Sequence, residues 1–143
     1  MKAVLMSMTP EDCNLIMGGG EDTIEHMVRP KLAPPFTVYI FCTGEFEYNR
    51  AYGFKIWAEK ERVIGSFVCD NITRNNITGD ILWHISEPRI FDRPEQLHSF
   101  TPPCHGTDDS CEGCRFYNIS EEMCVRDGIY SAPQTWRYVE YIG

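Results

Sequence analysis

The chain has 143 residues, which is the size of a single domain. Hydrophobic residues make up 43% of it and aromatic residues 13%, which is enough to build a core and excludes a disordered chain. Because 21 Asp and Glu stand against 13 Lys and Arg, the net charge is -8. Such a chain repels phosphate backbones, so non-specific binding of DNA or RNA is not expected.

The N-terminal segment predicts a protein that stays inside the cell. Its apolar stretch is short and reaches Pro10, Glu11 and Asp12 without the apolar core of a signal peptide. No run approaches the roughly 18 apolar residues that a membrane span needs. We therefore expect a soluble, cytoplasmic protein with no membrane partner.

The first part of the chain predicts one helix between strands. A strand is expected at Lys2–Met8, followed by a helix that Thr9 caps and that the glycines at 18–20 end. Residues 21–28 have the composition of a second strand. Phe36–Cys42 is the clearest strand of the chain, because it is aromatic, β-branched and bounded by turn residues.

The rest of the chain predicts more short strands. A loop is expected at 43–51, and strands at 52–59 and 62–72, with Gly65 marking a bulge or a barrel corner. The remaining predicted elements are a strand or short helix at 81–85, a strand at 88–93, helical turns at 94–100 and a strand at 134–142. Six or seven short strands with one good helix and no βαβ alternation predict an α+β domain built as a small β-barrel.

Four of the seven cysteines lie close together: Cys104, Cys111, Cys114 and Cys124. The central pair is separated by two residues, one of them Gly, which is typical of a turn that points two thiolates at one Zn²⁺ ion. Four thiolates leave no position open for water, so the predicted zinc is structural. The alternatives are His105 as a ligand and metal-free thiols. Residues 101–130 are thus expected to be a zinc-binding insertion before the last strand of a single domain, 1–143.

Several segments, in their order along the chain, resemble ASCH-domain proteins, especially short prophage-type members. Ser7 and Pro10 match the Ser and Pro that follow the first strand of that family, and residues 20–25 (GEDTIE) fall on its G-x-K-x-x-E motif. The segments 62–70, 83–86 and 133–136 also look like family segments. The resemblance spans nearly the whole chain. It implies a PUA-like β-barrel and a location in a bacterial or phage-infected cell.

The resemblance further implies that the protein binds a nucleotide or an RNA base in a cleft. The candidate ligand-binding residues are Ser7, Glu25, Arg29, Trp83, His84 and Ser86. Glu25 would accept hydrogen bonds from a base edge, and Trp83 and His84 would stack on a base. Each also has a structural alternative: a solvated carboxylate for Glu25, a core position for Trp83, a hydrogen-bonded scaffold role for His84, and a local turn bond for Ser7.

Some ASCH-like proteins are amidohydrolases that remove an acyl group from a modified cytidine. They use the motif Lys with a neighbouring Thr and a Glu. Thr23 matches the Thr, but Asp22 stands at the Lys position and follows another acid, Glu21. Because a carboxylate reverses the local field, we expect a binding protein and no catalytic residue.

Three functions therefore stay open at the level of sequence. The first is a non-catalytic module for a nucleotide or RNA base, which the resemblance favours. The second is an acidic protein-interaction module that inhibits a host nucleic-acid-handling (defence) protein, which the net charge favours over non-specific RNA binding. The third is an amidohydrolase that acts on acylated cytidine.

Overall fold

The computed structural model describes residues 2–44, 46–49, 55–58, 62–102, 117–118, 123–124, 129 and 131–141. The elements are β1 (Lys2–Met8), α1 (Pro10–Met17), β2 (Thr23–Met27), β3 (Phe36–Cys42), β4 (Phe46–Asn49), β5 (Lys55–Ala58), β6 (Arg62–Arg74), β7 (Ile81–Glu95), a 3-10 turn (Leu97–Ser99), β8 (Phe100–Thr101), β9 (Tyr117–Asn118), β10 (Met123–Cys124) and β11 (Trp136–Tyr141).

Seven of these strands form one mixed sheet in the order β2-β7-β6-β3-β1-β11-β8. The pair β1 and β3 is parallel, with Met6 opposite Ile40, and the other ladders are antiparallel. The strands β4 and β5, and likewise β9 and β10, form separate two-stranded ladders. The predicted mostly-β architecture with one N-terminal helix is thereby confirmed.

The predicted closure into a barrel is not found among the described strands. The edge strands of the seven-stranded sheet, β2 and β8, do not pair with each other there, so the sheet is open. It is nevertheless strongly curled. The ring centroids of Trp83 in β7 and Trp136 in β11 lie 5.3 Å apart, although three strands separate β7 from β11 in the sheet.

The helix α1 forms where its capping residues predict it. The hydroxyl oxygen of Thr9 accepts a hydrogen bond from the backbone N–H of Asp12 at 3.3 Å, which satisfies one of the free donors of the first turn. At the other end, the N–H of Gly18 donates to the carbonyl oxygen of Asn14 at 2.9 Å. One side of the helix is buried, through Cys13, Ile16 and Met17, and this side faces the sheet.

The core lies on both faces of the sheet, because successive strand residues point to opposite sides. Within β1, Val4 and Leu5 are both fully buried and belong to different clusters. The larger cluster includes α1 and Trp83 and fills the inside of the curl. The smaller cluster gathers around Phe100 on the other face. Burial on two faces explains why β1 is a nearly continuous apolar run.

Two of the predicted element assignments are wrong. Residues 46–49 form β4, paired with β5, where a loop was predicted. The strand or short helix predicted at 81–85 and the strand predicted at 88–93 are one strand, β7. Glu87 and Pro88 oppose a single residue of β6 in a bulge, and such a bulge accommodates a proline, which has no N–H for the ladder.

The bulge predicted at Gly65 is confirmed. The register between β3 and β6 shifts between Ile40, which faces Gly65, and Phe41, which faces Val63. A Cβ atom at residue 65 would overlap the carbonyl oxygen of Arg89 in β7. The two long strands therefore approach each other at a point that only a glycine fits.

Gly65→Ala is expected to lower the free energy of unfolding by about 1–3 kcal/mol, because the added methyl group pushes β6 away from β7. Urea denaturation followed by circular dichroism measures this change. The neighbouring substitution Ser66→Ala is the control and should change stability by less than about 0.5 kcal/mol. Equal stabilities of the two variants would contradict the close approach.

Candidate functional site

A cleft of about 570 Å³ opens where the curl of the sheet brings β2 opposite the ends of β1 and β11. In the sheet, three strands separate β2 from β1, so these walls meet only because the sheet bends around. The volume lies within the range of about 300–1,000 Å³ that is typical of ligand sites. The cleft thus lies between the terminal strand β2 and the ends of β1 and β11.

The cleft has an apolar floor and an acidic rim. The apolar lining residues are Met6, Met8, Ile16, Ile24, Met27 and Trp136, and the acidic ones are Asp12, Glu21, Asp22 and Glu25. The four acidic residues are exposed. No Lys or Arg occurs among the described residues that line the cleft. The field at the cleft therefore attracts cations and repels phosphate groups.

All six residues of the family-like motif, 20–25, line this cleft. Asp22, Thr23 and Glu25 all line it, and strand alternation puts Thr23 and Glu25 on the same side of β2. The carbonyl oxygen of Asp22 accepts a hydrogen bond from the N–H of Ile85 at 2.8 Å, which ties the start of β2 to β7. Glu21 and Asp22 thus belong to the wall of the cleft, which the sequence had left open.

Ser7 also lies in the wall of the cleft, but its hydroxyl makes a hydrogen bond within the protein. The hydroxyl donates to the carbonyl oxygen of Pro133 at 2.7 Å, and the backbone N–H of Ser7 donates to the carbonyl oxygen of Thr135 at 2.9 Å. These two bonds hold the segment before β11 against the end of β1. Ser7 therefore positions the cleft wall beside Trp136.

Trp83 lies in the core and not in the cleft. It is fully buried, its ring meets that of Phe36 edge-on at 5.3 Å, and its indole N–H donates to the carbonyl oxygen of Val28 at 3.2 Å. Because the ring is fully covered, it offers no face on which a base could stack. The structural alternative for Trp83 is thus the arrangement that the structure shows.

The other three candidates also lie outside the residues that line the cleft. The Nε2 atom of His84 is 2.7 Å from the hydroxyl oxygen of Thr73, and the hydroxyl of Ser86 donates to the carbonyl oxygen of Val68 at 3.3 Å. Both contacts join β7 to β6, so these side chains support the sheet. Arg29 is exposed in the segment after β2.

Sequence reasoning missed part of the site. Asp12 and Trp136 both line the cleft, although neither is among the ligand-binding candidates of the sequence. The methionines of the floor gave no signal at all, since isolated methionines look like ordinary core residues. What could have pointed to Trp136 is its place in a segment, 133–136, that already looked like part of the family pattern.

The clearest pKa shifts belong to cysteines buried in the core. The pKa of Cys13 in α1 is raised, and the largest cause is the hydrogen bond between its thiol and that of Cys42 in β3. Burial is the second cause. The same hydrogen bond lowers the pKa of Cys42 to about 7, because it stabilises the thiolate. Burial raises the pKa of Cys69 to about 11. All three thiols are buried in the larger core cluster, and the contact between Cys13 and Cys42 joins α1 to β3.

The predicted zinc ligands fall mostly outside the described residues. Cys104, His105, Cys111 and Cys114 lie there, and Cys124 is described only in its backbone, which pairs with Tyr117 in the ladder of β9 and β10. Among the residues whose side chains are described, no group of three or more His, Cys, Asp or Glu could hold a metal ion. The zinc site therefore stays a prediction.

No family model, no curated protein and no solved structure matches this chain. The resemblance to ASCH-domain proteins thus stays a prediction that depends on the quoted motifs. Within the described part of the chain, no helix has the length and apolar character needed to cross a membrane.

Trp83→Phe is expected to lower the free energy of unfolding by about 1–3 kcal/mol, because the smaller ring leaves a cavity and the bond to Val28 is lost. Thermal and urea denaturation measure the loss. Ile77→Ala serves as the control, since Ile77 is 95% exposed at the tip of the turn between β6 and β7. A Trp83→Phe protein as stable as the control would contradict the stabilising role of Trp83 in the core.

Proposed function

We propose that this protein is a non-catalytic binding module, and that its partner is a positively charged segment of another protein that enters the acidic cleft. The observation that supports this most is the composition of the cleft. Four carboxylates surround an apolar floor, and the described lining residues include no Lys or Arg.

This lining fits the side chain of an arginine or lysine. The aliphatic part of such a side chain packs on apolar surface while its charged end reaches a carboxylate. Here Met6 and Met8 would receive the aliphatic part, and Asp22 and Glu25 the charge. Trp136, which is half-buried at the cleft, offers an aromatic ring for a cation–π contact. The flexible methionines suit a floor that adapts to its ligand.

The charge of the whole chain favours the same kind of partner. A net charge of -8 steers the protein toward basic surfaces and speeds association with them. Proteins that handle nucleic acids present such surfaces, because they must neutralise phosphates. Covering that surface would inhibit the partner, and a phage-encoded inhibitor of a host defence protein is the form of this function that we propose.

A nucleotide or RNA base is the second candidate ligand, and two residues of the cleft favour it. Glu25 can accept hydrogen bonds from the edge of a base, and Trp136 can pack against its plane. The four carboxylates would keep a phosphate group outside, so a nucleoside fits better than a nucleotide. Amidohydrolase activity is less favoured, because Asp22 occupies the position of the family lysine.

The PUA-like barrel also stays a proposal. It is supported by the strong curl of the sheet, which brings β2 opposite the ends of β1 and β11. A further link across the inside of the curl is the hydrogen bond from the N–H of Lys31 to the hydroxyl oxygen of Tyr138, at 2.7 Å. In this proposal the cleft between β2 and the ends of β1 and β11 is the binding site.

We further propose the structural zinc site at Cys104, Cys111, Cys114 and Cys124. The donor set suits Zn²⁺, since four thiolates form a closed tetrahedral site. The ladder of β9 and β10 supports the proposal. It places the backbone of Cys124 opposite Tyr117, only three residues along the chain from Cys114. The ion would hold residues 101–130 together ahead of β11.

A double variant tests the acidic cleft. Asp22→Asn with Glu25→Gln is expected to weaken the binding of a fluorescent arginine-rich peptide about tenfold, because two charge pairs are lost. Fluorescence anisotropy in about 50 mM salt, where screening is weak, measures the affinity. The control is Asp70→Asn with Glu87→Gln, which removes the same charge away from the cleft. If both double variants bind equally well, the cleft is not the site.

The same titrations distinguish the second candidate. Adenosine and cytidine are added to the wild-type protein, and the fluorescence of its tryptophans reports binding. We expect the peptide to bind and the nucleosides to leave the signal unchanged. Nucleoside binding that Glu25→Gln abolishes, together with no peptide binding, would replace the first proposal by the second.

The zinc proposal predicts one Zn²⁺ ion per chain in purified protein, measured by elemental analysis. Removal of the ion with a strong chelator is expected to lower the melting temperature, because a structural zinc contributes to folding. Cys111→Ser with Cys114→Ser should lose the metal, while Cys69→Ala, outside the cluster, should keep it. Wild-type protein that contains no zinc after purification without chelators would contradict the site.

A further inference from the structure

Two cysteines on different elements of the core make a contact that the proposed function does not use. Cys13 lies in the first half of α1, and Cys42 is the last residue of β3. Both side chains are fully buried in the larger core cluster, and a hydrogen bond joins their thiols. The two sulfur atoms are therefore neighbours in the fold, although they belong to distant segments of the chain.

The hydrogen bonds of this pair run in one direction. The thiol of Cys42 donates to the carbonyl oxygen of Gly44 at 3.2 Å, and the thiol of Cys13 donates to the sulfur of Cys42. A donor at a sulfur atom stabilises the thiolate, and the pKa of Cys42 is lowered to about 7. About half of Cys42 is then a thiolate near neutral pH, and the thiolate is the form that reacts with oxidants.

Cys69 is a buried thiol of the same core cluster without this arrangement. It is also fully buried, but its thiol donates to the carbonyl oxygen of Asn71, at 3.4 Å. Burial raises its pKa to about 11, so it stays a thiol at neutral pH. Since Cys69 matches Cys42 in burial, it is an internal control for the effect of the second thiol.

We propose that Cys13 and Cys42 are an oxidation site, at which hydrogen peroxide converts the two thiols into a disulfide that fastens α1 to β3. The Cys42 thiolate attacks one oxygen of the peroxide, the O–O bond breaks, and Cys42 becomes a sulfenic acid while the other oxygen leaves as hydroxide. The Cys13 sulfur then attacks the Cys42 sulfur, and the S–O bond breaks. The two thiol protons complete two water molecules. Two thiols are thus oxidised and one peroxide is reduced.

The oxidant reaches the buried pair when α1 moves away from the sheet. The helix has eight residues and buries one side, to which Cys13 belongs. A helix of this length is only marginally stable by itself, so its packing opens more readily than the seven-stranded sheet. Because Asp12 and Ile16 of α1 line the cleft, the disulfide would also fix that part of its wall. The inference holds whatever the cleft binds.

The test maps the cysteines of the full-length protein after treatment with hydrogen peroxide. The quenched sample is unfolded, its remaining thiols are alkylated, and its proteolytic fragments are identified by mass spectrometry. We expect fragments linked through Cys13 and Cys42, which form at least about tenfold faster than any oxidised form of Cys69. Dithiothreitol should restore both thiols. Absence of the link, or oxidation of Cys69 at the same rate, would overturn the inference.

The variant Cys13→Ser separates the two chemical steps. It keeps a hydroxyl donor beside Cys42 but removes the second sulfur, so the sulfenic acid on Cys42 should persist and react with dimedone. Unlabelled Cys42 in a folded Cys13→Ser protein would overturn the proposed order of steps. Cys69→Ala is the matched control and should form the link as the wild type does. If Cys13→Ser does not fold, the mapping of the wild type decides alone.

The melting temperature tests whether the disulfide fits the fold. Oxidation is expected to raise it by about 5 °C or more in the wild type, because the new bond joins two elements that are already in contact. Cys42→Ala receives the same treatment and accounts for oxidation elsewhere in the chain. A wild-type change no more favourable than that of Cys42→Ala would overturn the fastening of α1 to β3. None of these results bears on the acidic cleft.

Discussion

The contact between Trp83 and Trp136 holds together strands that the sheet keeps far apart. Their ring centroids are 5.3 Å apart across the inside of the curl, and Trp83 is fully buried there. Two bulges, at Gly65 and at Glu87 with Pro88, let the long strands bend enough for this contact. The cleft follows from the same curl, because it lies where the bent sheet brings β2 opposite the ends of β1 and β11.

The proposed binding surface depends on what lines the cleft. The methionines and Trp136 form an apolar floor, and the exposed acidic residues Glu21, Asp22 and Glu25 lie around it. In the proposed function, these carboxylates select a basic partner.

Much of the fold was predictable from local signals, and the site was predictable in part. β1 and Phe36–Cys42 were predicted to the residue, since apolar runs bounded by turn residues need no tertiary information. At Pro88 the sequence predicted a new element where β7 continues. Only the pairing with β6 shows that this proline lies in a bulge within the strand. Ser7 and Glu25 were placed in a cleft from motif positions. For Trp83 the sequence left two roles open, stacking on a base or packing in the core. Its burial against Phe36 and Trp136 shows the core position.

The sequence by itself determined the acidic charge, the strand-rich pattern, the capped helix and the cysteine spacing, because these depend on composition and on neighbours in the chain. Only the tertiary structure decided that the sheet of the described strands stays open, and that Asp12 and Trp136 join Glu25 around one cleft. Those residues are more than 100 positions apart in the chain at the extremes. Their meeting depends on how far the sheet bends, which is a property of packing among many strands and of no single segment.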